Sequence, residues 1–160
     1  VDTIVNITLQ TARAVRIFGI EPRIALLSYS NFGSVEGAIP VKVREAVARL
    51  HKEHPDLIVD GDVQANFAIN SDMLAAHFPF SKLMCSPANT LIFPYLTASN
   101  IAYKLLQELG NIKAIGPLLM GLDRSIHVLQ MGASVAEIVD VAAIAVIDAQ
   151  EVEKRLKTKK

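Results

Sequence analysis

The chain has 160 residues, about half of them apolar, and its 16 basic residues balance 16 acidic ones. That length is enough for one domain or two small lobes that bury roughly two thirds of the unfolded surface. The even charge leaves no basic footprint of the kind that gathers nucleic acid or anionic membrane. Cys85 is the single cysteine, which excludes an internal disulfide framework or a cysteine zinc site and fits a reducing, cytoplasmic setting. The most apolar run, around 139–147, is too short for a bilayer and contains Asp140, and no charged-then-apolar leader is present, so a soluble protein is expected. Val1 falls within what reads as the approach to a helix, as in a piece cut from something longer.

In chain order, residues 3–18 carry Ile4, Ile7, Ala12, Val15 and Phe18 at helical spacing, and Gly19 followed by Pro22 stops the pattern. Residues 23–28 form a short apolar strand. Pro40 suits the first position of a helix over 41–54, with Val43, Val47 and Leu50 on one face and Lys42, Glu45, Arg49 and Lys52 toward water. A second strand is expected at 57–60, a short helix at 68–77, a strand at 90–93 stopped by Pro94, and a helix at 99–109 ended by Gly110. Further short strands are expected at 114–119 and 127–129. Ser134 then opens a long helix, with Ser134 and Glu137 forming an S-x-x-E capping box. This alternation predicts an α/β fold, mostly parallel sheets with helices on both faces. The last helix is apolar nearly all round between 135 and 147, which implies cover from a partner lobe or a subunit. Its basic tail, 154–160, offsets the helix dipole.

Four places could carry chemistry. The loop from Ser28 to Ser34, with Ser30, Asn31, Phe32 and Gly33 inside it, follows a strand and precedes a helix, where amides and hydroxyls can hold an anion. It matches neither a dinucleotide fingerprint nor a Walker loop, so an ordinary βα turn is the commoner reading. Asp60 and Asp62 place two carboxylates at a strand end, open to a divalent ion or to acid/base work, with an Asp-Gly turn as the commoner explanation. Gly132 leads into the amides of the last helix, a second possible anion pocket, with no recognisable nucleophile nearby. Asn100 and Lys104 share a helix face that can offer an amide and an ammonium to a ligand, or simply face water. His51, His54, His77 and His127 lack ligand spacing, so no metal site is expected, and Cys85 has no evident activating base.

Four motifs in order, ALLSYSNFGS at 25–34, DGDVQ at 60–64, ANTLIFPYLTASNIAYKLLQELG at 88–110 and AIGPLLMGLDRSIHVL at 114–129, resemble the C-terminal half of the phosphate acetyltransferase (phosphotransacetylase) family. The resemblance covers nearly the whole chain. It implies a two-lobed fold similar to isocitrate dehydrogenase, a cleft for coenzyme A and a dimer built by the second lobe. Residues 1–109 would then be most of the second lobe, and 110–160 the part returning to the first.

Active members of that family read aspartate-leucine-serine-arginine-glycine where this chain has Val128, Leu129, Gln130, Met131 and Gly132. The resemblance gives the serine and arginine the tetrahedral intermediate and the phosphate to handle. A thioether at Met131 cannot replace a bidentate cation in a cleft of low dielectric. The family's downstream aspartate falls at Glu137, and its threonine-lysine-glycine falls at Asn31, Phe32 and Gly33. Gln130, Met131 and Glu137 are thus degenerate catalytic positions, and no catalytic residue is expected.

The loop and the His-Val-Leu segment are more similar to the phosphotransacetylase-like C-terminal domain of bacterial NADP-dependent malic enzymes. That resemblance implies a regulatory domain that senses acetyl-CoA and supports a homo-oligomer. Malate decarboxylation, NADP and a divalent metal would then belong to the rest of the parent chain. The ligand contacts it suggests are Ser30, Asn31, Phe32, Gly33, Ser34, Asn100, Lys104, Arg124, Gln130, Met131, Gly132 and Ser134. A working phosphate acetyltransferase and a purely structural oligomerisation domain are the alternatives.

Overall fold

In the computed structural model, which describes residues 1–158, the alternation of helix and strand builds a parallel three-stranded sheet. β1 (Arg23–Leu27) is central, with β2 (Ile58–Val63) on one side and β3 (Thr90–Ile92) on the other. A central parallel strand is covered on both faces, so it needs apolar residues at every position and not at alternate ones. Ile24 and Leu26 accordingly enter one core cluster, while Ala25 and Leu27 enter the other.

The first face is packed by α1 (Asp2–Ile17) and α2 (Ala38–Glu53). From α2 come Val43, Ala46, Val47 and Leu50, the i, i+3, i+4, i+7 stripe of an amphipathic helix. Gly19, at φ 71, ends α1 with its N–H on the Arg16 carbonyl at 2.9 Å. The second face is covered by α3 (Ala65–Ala68) and α4 (Ser71–His77), through Ala68 and Leu74, with Leu83 from the turn beyond.

Several elements depart from the sequence expectation. α2 begins at Ala38, so Pro40 is its third residue; first-turn amides have no helical partner, so proline is tolerated there. The helix expected at 68–77 is two short ones, because Asn70 caps the second by accepting from the Met73 N–H at 3.0 Å. Asp60, Gly61 and Asp62 are not a turn: they lie inside β2, buried. There the β1–β2 register slips between Leu26 and Leu27, and a Cβ on Gly61 would stand 2.5 Å from the Leu26 carbonyl oxygen. Only glycine allows that approach.

The chain divides into two compact units, Val1–Ala102 and Tyr103–Lys160, with the division inside α5 (Leu96–Gly110). In the second unit the segments 114–119 and 127–129 are not strands. Half-buried and exposed residues alternate along 114–119, as in a strand, but neither segment has a ladder partner among the described residues. Alternation sets the faces of a strand, whereas hydrogen-bonded pairing makes it one. The stretch is tied instead to α6 (Val135–Thr158): Lys113 pairs with Asp140 at 2.5 Å, the Ser125 hydroxyl donates to the Ala145 carbonyl at 2.9 Å, and His127 faces Asp148 at 3.5 Å. Among the described side chains of α6 only Val141 and Val152 are buried, while Val135, Val139 and Val146 stay exposed. Of the basic tail, residues 159 and 160 lie outside the described residues. No helix among the described residues is long and apolar enough to cross a membrane.

Candidate functional site

In the second unit the end of α5 and the start of α6 enclose a shallow cavity of about 100 Å³. Small-molecule sites start at about 300 Å³, so this one accommodates only a small group. Lys104 lines it, with Gln130, Met131 and Gly132 from the turn and Glu137 from the first turn of α6. The turn closes through the Ala133 N–H on the Gln130 carbonyl at 3.1 Å, with Gly132 at φ 88, where a type II turn requires a positive φ. Met131 is fully exposed.

The capping box forms as the sequence predicts. Glu137 accepts from the Ser134 N–H at 2.7 Å and from its hydroxyl at 2.8 Å, while the Glu137 N–H donates to the Ser134 Oγ at 3.3 Å. Those bonds, the backbone one foremost, hold the Glu137 carboxyl below the usual glutamate range against the opposing pull of desolvation and Asp140. It is therefore an ionised acceptor committed to the cap. A proton-shuttling carboxyl would have to break the cap first.

The loop of residues 30–34 belongs to the first unit and is built differently. Ser30 and Asn31 are buried, and each amide from Ser30 to Val35 donates within the protein. The Phe32 N–H meets the Asp62 carbonyl at 2.7 Å, the Gly33 N–H meets the Asp62 Oδ1 at 3.1 Å, and the Asn31 Oδ1 accepts from the Gln64 N–H at 2.8 Å. Phe32 adopts φ 47 and packs its ring tilted against Phe78 and edge-on against Phe80, at centroid distances of 4.9 and 5.0 Å. Asp60, the other carboxylate of the pair, accepts from the Ser81 hydroxyl at 2.8 Å and the Lys82 N–H at 2.9 Å.

Against the phosphate acetyl/butaryl transferase family, residues 1–146 of this chain match. The chain belongs to that family. It is 40% identical over 150 residues to the NADP-dependent malic enzyme of Haemophilus influenzae, covering 94% of this chain and 20% of that protein. To the phosphate acetyltransferase of Clostridium acetobutylicum it is 41% identical over 150 residues, covering 93% of this chain and 45% of the relative. The fold resembles a phosphotransacetylase from Streptococcus pyogenes at a TM-score of 0.85 and 38% identity, over 92% of this chain and 45% of that one. The chain thus spans between a fifth and just under half of these relatives.

Within the family fold, the cavity brings together Lys104, Gln130, Met131, Gly132 and Glu137, with Ser134 beside it as the cap. Tyr103 and Gln107 also line it, and sequence reasoning missed them. Gln107 lies one turn beyond Lys104, so extending the Asn100–Lys104 face would have found it. Asn100 belongs to the first unit and is exposed, and Arg124 is exposed and does not line the cavity. Arg44, which stands over the 30–34 loop with its Nη1 3.7 Å from Asp62 Oδ2, carries no sequence signal.

Proposed function

We propose that this chain is the non-transferring, acetyl-CoA-sensing part of an NADP-dependent malic enzyme, acting in the cytoplasm and helping to hold a homo-oligomer together. Malate oxidation, with its NADP and divalent metal, belongs to the remainder of the parent chain. The observation that carries this reading is the turn itself: Gln130 and Met131 stand where the resemblance to transferases calls for serine and arginine, and Met131 projects fully into solvent. A thioether supplies neither the charge nor the paired donors that a developing phosphoryl oxyanion needs. A cavity without transition-state groups suits equilibrium binding, and at about 100 Å³ this one would take only the acetyl end of acetyl-CoA. It regulates if acetyl-CoA favours one conformation of the assembly over another.

The test uses the full-length parent. Acetyl phosphate with coenzyme A should yield no acetyl-CoA, while added acetyl-CoA should lower the rate of malate decarboxylation. Appreciable acetyl transfer overturns the reading. A working phosphate acetyltransferase is the second reading, favoured by 41% identity to the Clostridium enzyme and by the carboxylate at Glu137. On that reading Gln130→Ser with Met131→Arg changes turnover little. If the complete protein takes up no acetyl-CoA in calorimetry, a purely structural role remains, in keeping with the exposed valines of α6.

A further inference from the structure

We propose that Asp62 is the resident anion of the 30–34 loop and that it closes the loop's backbone to phosphate. The sequence suggests an anion-holding turn here, and an anion is indeed held, but it is the protein's own. Six consecutive amides, from Ser30 to Val35, already have acceptors; two of these bonds end on Asp62, one on its carbonyl and one on its carboxylate. The Asp62 side chain is fully buried, so a second anion brought to the Gly33 amide would face a like charge with little water between them.

The nearby cation steadies Asp62 and does not free the loop's amides. Arg44 places Nη1 3.7 Å from Asp62 Oδ2, an ion pair without a hydrogen bond, and Nη2 3.1 Å from Glu36 Oε1, so its charge is shared between two carboxylates. It also lies on the loop, with Nη1 3.5 Å from where a Gly33 Cβ would stand. Asp62 is therefore a positioning and specificity-determining residue. A ligand that reaches this loop meets the exposed Ser34 and the half-buried Phe32 ring, not free amides, and any phosphate it carries must be held elsewhere. This extends the acetyl-CoA reading by restricting where phosphate can bind, but the closure of the loop does not depend on that reading.

Amide hydrogen exchange of residues 29–36 in the full-length protein tests the proposal, with inorganic phosphate and formate as probes at matched ionic strength. In the wild type neither probe should change the exchange. In Asp62→Ala the loop should exchange at least tenfold faster, and formate, a free carboxylate, should slow it again severalfold. A merely space-filling role for Asp62 would show no such rescue. Protection of the wild-type loop by phosphate, or an Asp62→Ala loop that exchanges at the wild-type rate or ignores formate, overturns the proposal. Should Asp62→Ala not fold, Arg44→Gln, at a partly exposed position, should speed exchange of 29–36 severalfold and leave β1 unchanged; no increase counts against it equally. Acetyl-CoA takes no part in these measurements, so their failure is distinct from failure of the functional reading.

Discussion

The loop at residues 30–34 and the turn at 130–133 look alike in sequence and share even a backbone angle, since Gly33 and Gly132 both sit at φ 88. Their surroundings differ. A Cβ on Gly33 would meet the Arg44 guanidinium, whereas one on Gly132 would meet nothing within 4 Å. The first has its amides committed and a buried carboxylate behind them; the second opens on a cavity beside Lys104. A glycine turn before a helix therefore does not define an anion site. What decides it is whether the protein has already supplied the anion.

The sharpest way to break this contrast is at Gly61, whose close approach to β1 sets Asp62 under the loop. Gly61→Ala drives a Cβ to 2.5 Å from the Leu26 carbonyl at φ 149, and both atoms are backbone-fixed. We expect about 4 kcal/mol of destabilisation in urea unfolding, in the exceptional tail for single substitutions. Gly132→Ala has open space and only the left-handed conformation to oppose it, so about 1–2 kcal/mol is expected. Equal losses would mean that the two turns are equally constrained.

A smaller effect separates the side chains the two turns display. Phe32→Ala removes a half-buried ring packed on Phe78 and Phe80 and should cost about 2 kcal/mol, less than a full core truncation. Met131→Ala, at a fully exposed position, should fall within about 0.5 kcal/mol of wild type. Matching urea midpoints for the two variants would show that Phe32 is not anchored by its aromatic neighbours.

What could be read in the sequence follows the range of the interactions. The α2 stripe, the doubly apolar β1 and the Ser134–Glu137 box depend on neighbours within a turn or two, and they are legible. Asp60 and Asp62 are not, because the donors that make a buried strand tolerable for them come from Ser81, Lys82 and Gly33, some twenty to thirty residues away. Segments 114–119 and 127–129 have the apolar content of strands, but pairing is a property of two segments, and one was in view. At the candidate site, Lys104 and Gly132 are legible from helix-face spacing and the turn before α6, while Gln130 and Met131 stand out only against the family resemblance. Gln107 follows from extending the Asn100–Lys104 face by a turn, whereas Tyr103 is visible only in the cavity that α5 and α6 share.

The smallest expected effect tests whether the second turn is held by its cap. Ser134→Ala removes the hydroxyl partner and should cost about 1 kcal/mol at neutral pH. The sign of its pH dependence follows from Glu137, whose folded-state pKa lies below its unfolded value because Ser134 donates to the carboxylate. Such a group stabilises the fold above the unfolded pKa, about 4.3 for glutamate, and loses that contribution as pH falls through the lower folded value. Urea midpoints of wild type and Ser134→Ala should therefore differ by a constant amount from neutral pH down to about 5 and draw closer, without meeting, below about 4, because the hydroxyl's bond to the carboxylate weakens while its bond from the Glu137 N–H does not. Glu137→Gln, which cannot ionise, should show no such slope in that window. If the wild type and Glu137→Gln curves instead run parallel through the acid range, the Glu137 carboxylate adds nothing to the cap and is free for other work in the cavity.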